Sequence, residues 1–276
     1  MKRILVPYDF SELSEYALSL AQEISASTGA EIICLNVVQV GLSAIFDSEG
    51  NLSDANDFDV DHYNDMKKQH MEKLKNLVAP YPNTRALVKI GDAEASILET
   101  EQAESVELII MGTHGSTGFE QWISGSVSDK IIRQAKASVL TLKCQREANE
   151  FKKIALASDF AKPAKNNIDE LKTLMDVFGA ELHLLKINAP WQNDSKEEVE
   201  ARMQQYCKLN GIEKAVYHIV DSEDVESGII KFMEDEQIEF IAIGSKGRMG
   251  ISAFFNGCVS ADLVNHIFAP VFTFRA

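Results

Sequence analysis

The stretch Leu108-Ile109-Ile110-Met111-Gly112-Thr113-His114-Gly115, with Gly125-Ser126-Val127-Ser128-Asp129 a short way behind it, decides how the rest of the chain is read. Its first four residues have the length and composition of a buried strand, and after Ser126 the apolar residues Val127, Ile131, Ile132 and Ala135 recur at helical spacing. Gly112, Gly115 and Gly125 therefore lie between a strand end and a helix start, where the backbone can come close to a ligand and free helix amides attract anions. Ser126 can add its hydroxyl to a phosphate oxygen. The same residues also read as a glycine-rich turn closed by a capping box, Ser126 answered by Asp129. The spacing is neither that of a P-loop, which needs a lysine after its last glycine, nor Gly-x-Gly-x-x-Gly. Glycine spacing alone leaves both readings open.

A resemblance separates them. Gly-x2-Gly-x9-Gly-Ser after an apolar strand ending in Met-Gly resembles the ATP-binding signature of the universal stress protein family, and Ile4-Leu5-Val6-Pro7-Tyr8-Asp9-Phe10-Ser11 is similar to that family's opening strand and turn. The resemblance covers essentially the whole chain. It implies ATP, with or without Mg, as the ligand. It also implies that the backbone at Val37 reads the adenine, that Met111 lines the pocket, and that Pro7, Tyr8, His114 and Val127 join Asp9, Gly112, Gly115, Gly125 and Ser126 around the nucleotide.

At 276 residues, 45% of them hydrophobic, the chain is long enough for two domains with a core each. No apolar run is long enough to cross a bilayer and no signal region follows Met1-Lys2-Arg3, so a cytoplasmic protein with no membrane partner is expected. Cys34, Cys144, Cys207 and Cys258 are scattered, which argues against a zinc site and a disulfide scaffold. A formal net charge of -15 repels phosphate backbones, so no nucleic-acid partner is expected. It does not exclude a small anion held by backbone amides.

In chain order, Ile4 to Val6 reads as a strand, and Ser11 caps a helix with Leu13, Tyr16, Ala17, Leu20, Ala21 and Ile24 on one face. Glu31 to Val38 is a nearly continuous apolar run, as in parallel strands covered on both sides. From Gly41 to Asp65 acidic residues accumulate without lysine or arginine, and a solvated loop or flap is expected; the ligand spacing of a calcium loop is missing. Helical spacing resumes at Met66 through His70, Leu74 and Leu77. Ala86 to Ile90 reads as a strand, Gly91-Asp92-Ala93 turns into a helix carrying Ile97 and Leu98, and Ser138 to Leu142 follows a helix that runs to Lys136. Alternating strands and helices predict a doubly wound, Rossmann-like parallel sheet of the α/β class. The strand order 3-2-1-4-5 implied by the family puts Asp9 and Gly112 on one crevice between strands one and four.

The pattern then repeats. Ile154 to Phe160 echoes the N-terminus, with Asp159 lying 150 residues after Asp9, and Gly244-Ser245-Lys246-Gly247 and Gly257 follow their first-half counterparts by 132. The missing 18 residues fall in the acidic region. Two domains are expected, 1–146 and 151–276, each a five-stranded sheet. Their fifth strands, Val139 to Leu142 and Val271 to Phe274, should pair as an internal pseudo-dimer that hides two sheet edges, and whole chains can pair again as a homodimer.

Half two carries Cys258 for Ser126, Ala261 for Asp129 and Glu223 for Gly91. A degraded cradle and one nucleotide per chain are expected. Lys246 and Arg248 leave room for a different anionic ligand there, and a redox role for Cys258 is the lesser reading beside an inert thiol. No catalytic residue stands out: His114 has no carboxylate spaced to orient it, and His62, His70, His183, His218 and His266 are dispersed. A stress-response or signalling module is expected in preference to an enzyme, with slow ATP hydrolysis or self-phosphorylation as the alternative.

Overall fold

Three consecutive apolar residues, Ile4, Leu5 and Val6, are fully buried in β1 (Arg3–Pro7), because helices cover the sheet on both faces. The structure, a computed structural model, describes residues 1–40, 60–113, 127–161, 165–166, 168–190, 194–245 and 269–275. After β1 come α1 (Glu12–Thr28), β2 (Glu31–Gln39), α2 (Val60–Val78), β3 (Thr84–Gly91), α3 (Ala93–Ala103), β4 (Leu108–Gly112), α4 (Val127–Gln134) and β5 (Ser138–Leu142). The second half runs β6 (Lys153–Ala157), α5 (Asp169–Phe178), β7 (Glu181–Asn188), α6 (Lys196–Asn210), β8 (Val216–Asp221), α7 (Val225–Glu236), β9 (Phe240–Ser245) and β10 (Val271–Arg275).

The ten strands among the described residues form one sheet in the order β3-β2-β1-β4-β5-β10-β9-β6-β7-β8. Each half has the order 3-2-1-4-5 and is parallel throughout, so the fold is the doubly wound one expected. The halves join where β5 and β10 run antiparallel, with Thr141 opposite Val271 and Val139 opposite Thr273. The fifth strands thus pair with each other and leave no free edge between the halves. Helices α1, α2, α5 and α6 pack on one face, around Leu20, Leu74, Leu171 and Met203. Helices α3, α4 and α7 pack on the other, around Ile97, Ile131 and Ile229. A 3-10 turn, Ala148–Glu150, bridges the halves, and its Ala148 amide donates to Glu23 Oε2 at 2.8 Å. No helix among the described residues is long and apolar enough to cross a membrane.

Helix α1 begins where Ser11 accepts from the Ser14 amide at 3.3 Å and stops at Gly29, whose φ of 73° is the left-handed conformation that closes a helix. Three expectations are corrected. The acidic stretch does not extend to Asp65: α2 already starts at Val60, because Tyr63 and Met66 supply an apolar stripe that packs on the core, and Asp61 and Asp65 are simply its wet side. Leu77 is exposed, and Leu74 and Val78 are the buried residues of that helix. Residues 41–59, the rest of the acidic stretch, lie outside the described residues. Helix α4 ends at Gln134, two residues before Lys136.

Candidate functional site

The chain progresses outward in one direction from β1 through β2 to β3, and in the other from β4 to β5, so the strand order reverses between β1 and β4. A crevice opens beyond their C-terminal ends. It holds a cavity of about 250 Å³. Pro7 at the end of β1 and Tyr8 and Asp9 just after it line it, with Leu35, Val37 and Gln39 from β2 and Ala93 and Ile97 from α3. Met111, Gly112 and Thr113 close it from β4, Val127 and Ser128 from α4, and Ser11, Leu13 and Ser14 from the start of α1. The inner part is an apolar slot and the rim is polar.

Of the residues singled out in the sequence, Pro7, Tyr8, Asp9, Val37, Met111, Gly112 and Val127 meet around this cavity. His114, Gly115, Gly125 and Ser126 lie outside the described residues, as do Lys246, Gly247, Arg248, Gly257, Cys258 and Ala261 in half two. Ser11, Leu13, Ser14, Leu35, Gln39, Ala93, Ile97, Thr113 and Ser128 were not anticipated. Leu35 and Gln39 had a signal: side chains alternate along a strand, so they share the face of Val37.

The backbone at Val37 is open toward the crevice for a reason of register. Pro7 opposite Leu35 is the last β1–β2 pair, and the Tyr8 amide donates to the Leu35 carbonyl at 2.7 Å. Backbone groups two residues apart on a strand point the same way. The Val37 N–H and C=O therefore point to the β1 side at a level where β1 has ended. They offer one donor and one acceptor in a fixed geometry beside an apolar slot.

Asp9 serves both the turn and the crevice. Its Oδ1 accepts from the Ser11 amide at 3.0 Å and the Ser11 hydroxyl at 2.5 Å, so it is a turn residue, and it lines the cavity. Burial pushes its pKa up, but these bonds to Ser11 outweigh that and hold it below the usual carboxylate value. Tyr8 is buried, and burial first, then Glu15, Cys34 and Asp9, push its hydroxyl up to about 12. Phe10 follows at φ 64°, left-handed for a residue with a side chain, and Phe160 in half two repeats this at 50°. Both halves keep the strained Asp-Phe turn.

Two supports lie behind the turn. Asn36 is buried and its Nδ2 donates to the Tyr8 carbonyl at 2.7 Å, which leaves its Oδ1 to face His70 Nδ1 at 2.8 Å. His70 is held below its usual pKa by burial and by Lys73. Gly112 is needed for packing as much as for any ligand: a Cβ there would lie 2.5 Å from Leu13 Cβ and 2.8 Å from the Leu13 backbone. A larger residue would force α1 away from β4 and reshape the cavity between them.

Half two has the same frame with different contents. Ile187 takes the place of Val37, past the last β6–β7 pair, but its carbonyl accepts from the buried Lys186 ammonium at 2.9 Å. Burial holds the Lys186 pKa below its usual value, while Asp194 and Asp159 nearby favour its charge. The Ile187 side chain is buried against α7, where a Cβ on Gly228 would lie 2.9 Å from it. Ala189 is buried where Gln39 is exposed. Glu223 is exposed at the position of Gly91, beyond the end of β8.

A doubly wound parallel sheet with its crevice at the strand-order reversal defines a Rossmann-like α/β protein. The chain matches the Universal stress protein family over residues 1–143 and again over 150–275, and it belongs to that family with two copies of the unit in one chain. A universal stress protein of Methanocaldococcus jannaschii is 27% identical over 153 residues, which is 51% of this chain and 94% of that protein. A crystal structure of a universal stress protein from Archaeoglobus fulgidus is similar over 99% of this chain and 96% of its own, at 23% identity and a TM-score of 0.74. A universal stress protein solved in complex with cAMP is similar over 51% of this chain and 96% of its own, at 18% identity and a TM-score of 0.39.

Proposed function

We propose that the first half, residues 1–146, binds ATP and that the second, 151–276, carries a degraded site, so that one nucleotide binds per chain. The observation that carries this reading is the open Val37 backbone edge beside the slot of Leu35, Ile97 and Met111. An adenine needs that combination: apolar walls for its faces, one acceptor for its amino group and one donor for a ring nitrogen. A cavity of about 250 Å³ suits the base, with the sugar and phosphates reaching the rim. Asp9 takes a ribose hydroxyl, which its lowered pKa suits because an ionised carboxylate accepts strongly. The phosphates pass Gly112 toward the first turn of α4, whose leading amides have no acceptors within the helix. Gly115, Gly125 and Ser126 complete the cradle, His114 borders it, and Mg enters, if at all, with the nucleotide.

The chain then works in the cytoplasm as a nucleotide-dependent stress-response or signalling module, and whole chains pair as homodimers. Fast hydrolysis is not part of it. Cleaving the γ-phosphate needs a positioned water and charge neutralisation, and no lysine or arginine is among the described residues lining the cavity. The test is mass spectrometry of small molecules released from denatured protein, followed by a turnover assay with added ATP. An adenine nucleotide released and turnover far below about one per second are expected. Release of a ligand without an adenine ring would contradict the ATP reading, and faster turnover would contradict the binding-module reading.

A further inference from the structure

Helix α4 carries Val127 and Ser128, two of the residues around the cavity, at one end, and at its other end it is held by the opposite half of the molecule. Arg275 is the last residue of β10. Its Nε donates to the Ala135 carbonyl at 2.9 Å and its Nη2 to the Gln134 carbonyl at 2.8 Å. The last carbonyls of a helix have no partner within it and carry partial negative charge, so a planar cation with two donors satisfies and neutralises them together. The reach of Arg275 is set by strand register: β10 is pinned to β5 by backbone pairing, by Thr141 Oγ1 donating to the Val271 carbonyl at 3.2 Å, and by Thr273 Oγ1 donating to the Val139 carbonyl at 3.4 Å.

Half one holds the same helix from its own side. Glu101 Oε1 accepts from the Lys136 and Ala137 amides, each at 2.6 Å, just past the helix end, and Glu94 meets Lys130 Nζ at 2.7 Å and Gln134 Nε2 at 2.5 Å. A helix of eight residues is about 12 Å long and moves as a rigid rod, so where its last turn is fixed decides where its first turn points. We propose that Arg275 is a positioning residue for the nucleotide site of half one: the second half completes that site by fixing α4 so that its first amides face the phosphates. This rests on the ATP reading above. It gives half two a role in binding that does not require half two to hold a ligand.

The test uses the full chain with Arg275→Met, Arg275→Lys and, as a surface-cation control, Lys136→Met, at a temperature where circular dichroism shows each folded. Amide hydrogen exchange across α4 is followed without nucleotide, and ATP affinity by calorimetry. Arg275→Met should speed exchange along α4, first turn included, and weaken ATP roughly fivefold. Arg275→Lys should recover part of both, and Lys136→Met should change neither. If the wild type binds ATP and Arg275→Met binds it equally well, the positioning role is wrong and the ATP reading stands. Unchanged α4 exchange in Arg275→Met overturns the positioning role as well. If the wild type does not bind ATP at all, the ATP reading fails and the positioning role falls with it.

Discussion

At Val37 and Ile187 the two halves place the same backbone groups at the same level of the same strand, and they differ in what those groups meet. The Val37 edge faces a cavity, whereas the Ile187 carbonyl is bonded to Lys186 and its side chain is packed against α7. Behind Val37, Asn36 steadies the Tyr8 carbonyl of the β1–α1 turn; behind Ile187, the lysine at the equivalent position turns to its own strand. The first turn of α1 is capped by Ser11 over 17 residues, while α5 has 10 residues and starts after Ile168 with no side-chain cap. A repeated fold therefore keeps its sheet and its Asp-Phe turn, while at this level of the strand half two packs Ile187 on α7 and bonds its carbonyl to Lys186. Filling stabilises; an open slot leaves surface for a ligand.

The largest effect that separates the halves is on stability. Ile187→Ala removes a buried side chain packed against α7 and should cost about 3 kcal/mol in urea unfolding. Val37→Ala removes a half-buried one beside a cavity and should cost about 1 kcal/mol or less. Equal losses would mean that Val37 and Ile187 are packed alike, and the contrast between the halves would be lost.

A smaller difference lies in acid. In half two, His218 stacks on His183 at 5.0 Å between ring centres, with one nitrogen of each 2.9 Å apart, and sits against Phe232 with Glu236, Lys153 and Glu181 around it. Burial first, then His183, holds the His218 pKa below 6.5, while Glu236 and Glu181 oppose that shift and Lys153 adds to it. The unfolded chain then binds the proton more readily than the folded one. Stability is full above about 6.5 and falls as pH drops through that value toward the lower folded pKa. His70 in half one has the same sign of shift, from burial and Lys73. Unfolding curves at stepped pH should show this acid loss, and His218→Gln should reduce it. An unchanged pH profile in His218→Gln would remove the histidine pair as a cause.

Much of the frame was legible because parallel strands buried on both faces, such as Ile4 to Val6 and Ile32 to Leu35, read as unbroken apolar runs, and because the pattern recurs at a constant offset within each part of the chain. The start of α2 was not. Asp61 and Asp65 on a wet helix face look like loop residues when the apolar stripe beside them is as sparse as Val60, Tyr63 and Met66. The polar part of the candidate site, Asp9 and Gly112, was readable from residue type, but Leu35, Ala93 and Ile97 are indistinguishable in sequence from core residues. Valine to isoleucine at 187 and asparagine to lysine at 186 are bland substitutions until register shows which carbonyl the lysine reaches. Contacts such as Arg275 on α4 depend on how the halves join and have no local signature.

By the reading proposed above, one half of this chain binds a nucleotide and the other does not. Equilibrium dialysis of the full chain against ATP measures it directly, with Gly125→Val and Gly257→Val beside the wild type. A ratio near one ATP per chain is predicted, lost in Gly125→Val and kept in Gly257→Val. A ratio near two with similar affinities, or a ratio of one that Gly257→Val abolishes and Gly125→Val does not, would contradict it.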